Sequence, residues 1–150
     1  MTDNSERSLL VIEDSDTDFE ALVRIMRNLS SPIPVYRCLD GDEALDFLYH
    51  TGEYSDRTKA PRPSTILLDL NLPGTDGREV LEIVKGNQEL KDIPIIVFTT
   101  SSNPKDIDIC YQKGVNSYII KPIDVKKLKS SIQTIIDFWF TIATLPQECN

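Results

Sequence analysis

Short runs of uninterrupted apolar residues, each stopped by a polar side chain, recur along this chain and set the narrowest limit on its fold. Leu9-Leu10-Val11-Ile12 stops at Glu13-Asp14, Thr65-Ile66-Leu67-Leu68 at Asp69, and Ile93-Pro94-Ile95-Ile96-Val97-Phe98 at Thr99. A strand with one wet face alternates apolar and polar residues, whereas a strand that is apolar throughout is covered on both faces. Val35-Tyr36-Arg37-Cys38 and Asn116-Ser117-Tyr118-Ile119-Ile120 read as two further strands, the last ending at Lys121-Pro122. Segments with helical spacing lie between them. One covers about Asp18 to Leu29, with Phe19, Leu22, Val23 and Met26 in register. Asp40-Gly41-Asp42-Glu43 has capping-box chemistry, Asp at the N-cap and Glu at N3, ahead of Ala44, Leu45, Phe47 and Leu48. Asp76-Gly77-Arg78-Glu79 opens a third helix and Asn103-Pro104 a fourth, which ends near Gly114. Asp124 caps a fifth that runs to about Leu145, where Pro146 stops it.

Five strands alternating with five helices predict a (βα)5 chain of the α/β class. Right-handed crossovers then leave a doubly wound, five-stranded parallel sheet between two helical layers. A length of 150 residues suits one domain with one core. We expect that core at about residues 8–136, a loop insertion at 49–63 and a C-terminal extension at 137–150. The insertion holds Gly52, Ser55, Asp56, Pro61 and Pro63 and has no clear period, as a surface loop with a short turn would.

Composition excludes several functions. Twenty-four acidic residues against 16 basic ones give a formal charge of −8, the wrong sign for a nucleic-acid binder, and Lys126-Lys127-Leu128-Lys129 is a short basic patch. No apolar run can span a bilayer and the first residues carry no secretory core, so a cytoplasmic location is expected. Cys38, Cys110 and Cys149 follow no metal or redox spacing and read as free thiols. The one histidine, His50, reads as a surface residue and cannot supply a zinc site or a Ser-His-Asp triad.

In doubly wound sheets the site lies beyond the carboxyl ends of the strands. Glu13 and Asp14 follow strand one, Asp69 strand three, Thr99 strand four and Lys121 strand five. With strands one, three and four adjacent, these groups converge. Two carboxylates ~4 Å apart cost about 4 kcal/mol at an effective dielectric of ~20, so a cation is needed among them. Oxygen ligands suit Mg²⁺. Asp14, Asp69 and the backbone carbonyl of Asn71 are the natural ligands, with Glu13 orienting a bound water. Asp69 is then the nucleophile toward a phosphoryl group, Lys121 its counter-charge and Thr99 a hydrogen-bond donor. Taken singly each residue has a plainer role: Asp14 or Asp16 as a helix cap, Thr99 as strand filler, Lys121 as a solvated charge. Their joint placement at strand ends favours the phosphoryl site.

Glu13-Asp14, Asp69 within Leu67-Leu68-Asp69-Leu70-Asn71-Leu72-Pro73, Thr99 and Lys121-Pro122 resemble the conserved positions of two-component receiver domains, over about Leu9 to Ile136. The resemblance implies a flavodoxin-like receiver fold with strand order 2-1-3-4-5. It implies that Asp69 receives phosphate from the phosphohistidine of a sensor kinase and that Asp14 and Asp69 bind Mg²⁺. Thr99 and Tyr118 match a switch pair in which the hydroxyl moves toward the phosphoryl group and the ring follows inward. Lys121-Pro122 matches a peptide bond that is usually cis in the family. Thr100 departs from the small residue common there, which restricts access to the phosphoryl group, and Glu13 replaces the commoner Asp. Gly52-Glu53-Tyr54, Pro61-Arg62-Pro63, Asp76-Gly77-Arg78-Glu79-Val80-Leu81 and Phe138-Trp139-Phe140 are similar to the response regulators of cyanobacterial phytochromes.

Such a chain is a phosphoryl acceptor, not an enzyme acting on other substrates. It ends at Asn150 without room for a DNA-binding domain, so its output is expected to reach a protein partner through helix four, strand five and helix five. Ile132, Ile135, Ile136 and Trp139 are expected to face the core or its edge, leaving Phe138, Phe140 and Ile142 pointing partly elsewhere, as in a homodimer built on the C-terminal helix region. The alternatives are a pseudo-receiver that is never phosphorylated and an Asp-nucleophile phosphatase of the haloacid-dehalogenase type. The phosphatase needs a second Asp where Asn71 stands. A flavin module needs a phosphate loop where Glu13-Asp14-Ser15-Asp16 stands.

Overall fold

β1 (Leu9–Ile12), β3 (Thr65–Leu68) and β4 (Ile95–Thr99) are buried at every position. In this computed structural model, which describes residues 7–28 and 32–146, they form the centre of one parallel sheet. β2 (Val35–Cys38) and β5 (Ser117–Ile120), whose runs include polar residues, are the half-buried edges, and the order is β2-β1-β3-β4-β5. The doubly wound class and the order 2-1-3-4-5 are those expected.

The two faces of the sheet follow the two-residue period of a strand. Leu10, Ile12, Ile66, Leu68, Ile95 and Val97 point to one side. There they meet Ala44 and Phe47 of α2 (Gly41–Tyr49), Val80, Leu81 and Val84 of α3 (Gly77–Gly86) and Cys110 of α4 (Pro104–Gln112). Leu9, Val11, Leu67, Ile96 and Phe98 point to the other, against Leu22, Ile25 and Met26 of α1 (Asp16–Arg27) and Ile132, Ile135 and Ile136 of α5 (Val125–Asp137). Each such side chain contributes about 1.5–3 kcal/mol on burial.

Caps set where the helices begin. Ser15, not Asp14 or Asp16, caps α1 by accepting from Asp18 N at 3.3 Å, so the helix starts before Asp18. It ends at Arg27; the expected end at Leu29 lies outside the described residues, as does Cys149. Asp40 caps α2 as expected, but the Glu43 carboxylate reaches back to Leu39 N, one residue before the cap. Asp76, Asn103 and Asp124 cap α3, α4 and α5.

Residues 49–63 hold two short 3-10 turns, Gly52–Tyr54 and Arg57–Lys59. They are pinned to the core. Ala60 is buried, the Tyr54 ring meets Phe47 edge-on at 5.1 Å, and Tyr54 Oη donates to Glu43 at 2.6 Å. His50 ends α2 in the left-handed conformation, φ 59°, and its Nε2 lies 2.7 Å from the Ala60 carbonyl. It holds the insertion closed rather than standing alone on the surface.

The last helix widens into a π-helical turn at Phe138–Ile142, where Ala143 N donates to Phe138 O, and helical geometry stops there rather than at Leu145. Trp139 is half-buried at the edge of the core, as expected, but Phe140 is buried in it, against the expectation that it points partly elsewhere. Phe140 follows Ile136 by one turn and prolongs its buried stripe, and Arg7 covers it, with the guanidinium 5.6 Å from the ring centre and bonded to the Phe140 carbonyl. No helix among the described residues is long and apolar enough to cross a membrane.

Candidate functional site

Strand register assembles the site. Ile12 lies opposite Leu68, so Glu13-Asp14 and Asp69 leave neighbouring strands at one level, and Asp69 N donates to Ile12 O at 3.1 Å. Thr99 lies opposite Ile120, and Lys121 N donates to Thr99 O at 2.7 Å. Glu13, Asp14 and Asp69 place carboxylate oxygens within 4.8 Å of one another. Asp69, Glu13, Thr99 and Lys121 are buried, while Asp14 is exposed.

Lys121 Nζ ties the cluster together. It donates to Glu13, to Asp69 Oδ2 at 3.1 Å and to Asp18 Oδ2 at 2.8 Å. Asp18 is a site residue that the sequence reading missed. It lies in the first turn of α1, and nothing in its spacing announces a partner more than a hundred residues later. The second oxygens of Glu13 and Asp69 each accept one backbone bond: Ser15 N donates to Glu13 at 3.2 Å and Asn71 N to Asp69 Oδ1 at 3.2 Å. Burial pushes the Glu13 carboxyl up to about 7, with Lys121 pulling the other way. For Lys121 burial favours the neutral form, but bonds to Asp18 and Glu13 outweigh it and hold the ammonium above its ordinary range. Three carboxylates thus share one ammonium, and a fourth, Asp14, lies beside Glu13 and Asp69. That shortage of positive charge, in an all-oxygen setting with one open side at Asp14, fits a divalent cation.

α3 approaches this site closely because Gly77 has no side chain. A Cβ there would lie 2.4 Å from the Asp69 carbonyl oxygen and 2.6 Å from Leu70 Cα. Gly77 N donates to Leu70 O at 3.1 Å, which fixes the turn after Asp69.

Beside the carboxylates, Thr99 and Tyr118 meet at one residue. Ser101 N donates to Thr99 Oγ1 at 3.4 Å and Tyr118 Oη donates to Ser101 O at 2.9 Å. The Tyr118 ring is half-buried against the core. Ser101 Oγ donates to Asp106 Oδ2 at 2.6 Å, and Arg78 grips Asp106 with two bonds of 2.8 and 2.9 Å. Arg78 and Asp106 also escaped the sequence reading, since 28 residues separate them and each reads as an exposed helix charge. Thr100 is exposed. The Lys121–Pro122 bond is trans, not the cis form that the resemblance implied; trans is the favoured isomer even before proline, and Lys121 reaches the carboxylates in that form.

Comparison with known proteins agrees with this geometry. The response regulator receiver domain matches residues 9–133. The chain is 40% identical to the response regulator Rcp1 of Synechocystis sp. over 143 residues, 95% of each chain. The crystal structure of the Mn(2+)-bound form of Rcp1 superposes with a TM-score of 0.90, covering 94% of this chain and 99% of that one. The phosphorylated cyanobacterial phytochrome response regulator RcpA, also 40% identical, superposes with a TM-score of 0.89 over the same shares. The chain belongs to the response regulator receiver domain family and is related to the phytochrome response regulators.

Proposed function

We propose that this receiver domain takes a phosphoryl group on Asp69 from the phosphohistidine of a phytochrome-type sensor kinase and hands the signal to a protein partner. The convergence of Asp69, Thr99, Lys121 and the Glu13-Asp14 pair at adjoining strand ends carries the reading. Relatives seen phosphorylated and Mn(2+)-bound support it.

Asp14, Asp69 and the Asn71 carbonyl would hold Mg²⁺, with Glu13 positioned to orient a bound water. When bound, the ion supplies charge neutralisation for the phosphoryl group in transfer. An Asp69 carboxylate oxygen attacks phosphorus, the P–N bond breaks, and the imidazole nitrogen leaves with the electron pair; the product is an acyl phosphate. Lys121 turns one of its three donors from the resting carboxylates to a phosphoryl oxygen. Thr99 donates its hydroxyl to another. Hydrolysis later returns the carboxylate and inorganic phosphate. The domain thus assists its own phosphorylation and dephosphorylation.

The added group carries about −1.5 to −2 charges. Its local effect reaches the surface through the Thr99/Tyr118 pair, and a swing from 1:99 to 99:1 takes about 5.5 kcal/mol of differential binding. Two copies pair through the C-terminal helix region, where Phe138 and Ile142 remain 45% and 70% exposed.

Incubation with Mg²⁺ and a small acyl-phosphate donor, followed by intact mass, tests the acceptor. We expect one phosphoryl group on the native chain and none on Asp69→Asn or without the metal ion. Failure with both the small donor and a phytochrome-type kinase would leave a pseudo-receiver and overturn the reading.

A further inference from the structure

Both switch side chains hydrogen-bond to Ser101, and they do so through its backbone. Thr99 Oγ1 accepts from its N–H and Tyr118 Oη donates to its carbonyl, so the peptide of Ser101 lies between the two. Its side chain answers to a third party. Ser101 Oγ donates to Asp106 in the first turn of α4, and Asp106 is gripped bidentately by Arg78 in the first turn of α3. Arg78 Nη1 also meets both oxygens of Asp76, the α3 cap, at 2.9 Å. The chain Asp76–Arg78–Asp106–Ser101 therefore joins α3, α4 and the loop after β4.

Exposed ion pairs contribute little. This one differs in geometry and cover: a planar guanidinium meets a carboxylate along two parallel bonds, and the side chains are 26% and 15% exposed. The carboxylate has a further donor in Ser101. Such a pair holds a loop at a defined place with little freedom left. A Tyr118 hydroxyl that rests on that loop inherits the placement.

We propose that Arg78 and Asp106 are positioning residues for the switch, holding Ser101 so that its carbonyl docks the Tyr118 hydroxyl and its amide answers to Thr99. The inference rests on the reading of Thr99 and Tyr118 as the switch. When Thr99 turns to a phosphoryl oxygen, it releases the Ser101 N–H, and the change reaches Tyr118 through a single peptide that the ion pair keeps in place. Without the pair, the peptide moves on its own and the two side chains uncouple.

The test uses the full chain labelled with 3-fluorotyrosine and read by fluorine NMR, with the Tyr118 signal assigned by Tyr118→Phe. The variants are Arg78→Met, Ser101→Ala, which removes only the hydroxyl link, and Ser101→Thr, which keeps a hydroxyl. Tyr36, Tyr49 and Tyr54, remote from the network, report whether each variant is folded. We expect the Tyr118 signal to shift toward that of solvent-exposed fluorotyrosine in Arg78→Met and Ser101→Ala, to lose its response to phosphorylation in both, and to stay native in Ser101→Thr. A native Tyr118 signal in both Arg78→Met and Ser101→Ala, with the control signals unmoved, overturns the proposal. Phosphoryl uptake is followed by mass in the same samples. If the native chain takes up none, the acceptor reading fails, yet the Tyr118 signal of the unphosphorylated variants still decides the positioning role.

Discussion

Lys121 and Arg78 are both cations set among carboxylates, yet the two clusters are built to different ends. Arg78 has a matched partner: Asp106 takes two parallel bonds and Asp76 two more, so each carboxylate is met by fixed donors of one planar group. Arg78 is held above its ordinary range by its bonds to Asp106, and the same bonds pull the Asp106 carboxyl down to about 2. Lys121 instead has three carboxylates on one ammonium and a fourth, Asp14, nearby in solvent. Its cluster is short of positive charge, and burial pushes the Glu13 carboxyl up to about 7 even against the pull of Lys121. A satisfied cluster holds still, while an unsatisfied one awaits a ligand. The difference separates the part of the molecule that fixes a loop from the part proposed to take the phosphoryl group.

The sharpest way to break the contrast is Lys121→Ala. Removing the shared ammonium leaves Glu13 and Asp69 buried without a counter-charge, and the loss of one partner of a buried pair costs about 3–5 kcal/mol. Urea denaturation should show that loss, and a divalent cation should recover a larger share of stability in the variant than in the native chain. An unchanged midpoint would mean that the carboxylates are already neutral, and the contrast would fall.

Gly77 is where the two clusters meet, adjoining Arg78 in sequence and the Asp69 carbonyl in space. Gly77→Ala forces a methyl into backbone, an overpacking that costs about 1–3 kcal/mol. It should also slow phosphoryl uptake, because α3 must shift away from the turn after Asp69. Thermal unfolding and the rate of mass gain measure the two effects separately. Native stability would show that the loop yields freely.

The smallest effect belongs to Asp106→Asn, on the order of 1 kcal/mol, and its signature is pH. The folded carboxyl lies at about 2, below the ~3.9 of an unfolded Asp. Its contribution is therefore present above about pH 4 and is lost as pH falls through about 2. The stability gap between native chain and variant should narrow over that window in denaturation curves taken at a series of pH values. A gap that stays constant would place the stabilisation elsewhere.

What was legible in the sequence was what repeats or recurs locally. Continuous apolar runs announced Leu9–Ile12 and Thr65–Leu68 as covered strands, and the strand ends then announced Asp69, Thr99 and Lys121. Asp18, Arg78 and Asp106 could not be read in this way. Their partners lie far along the chain, and a charge on a helix has the same local pattern whether it meets water or another side chain. Ser15 displaced Asp14 and Asp16 as the α1 cap because three adjacent residues could all cap, and only the backbone path decides which one does. Phe140 was misplaced because the buried stripe was ended one turn early. His50 offered no pattern, since its partner is a backbone carbonyl that sequence does not mark.

The contact between Arg7 and Phe140 brings the first described residue beside the end of the last helix. The chain entering β1 and the chain leaving α5 are therefore clasped to each other at Arg7 and Phe140. That clasp lies on the α1/α5 side of the sheet, away from the α3–α4 network. For anyone building sensors on this scaffold, a change made at the clasp acts on the opposite face of the sheet from Arg78 and Asp106.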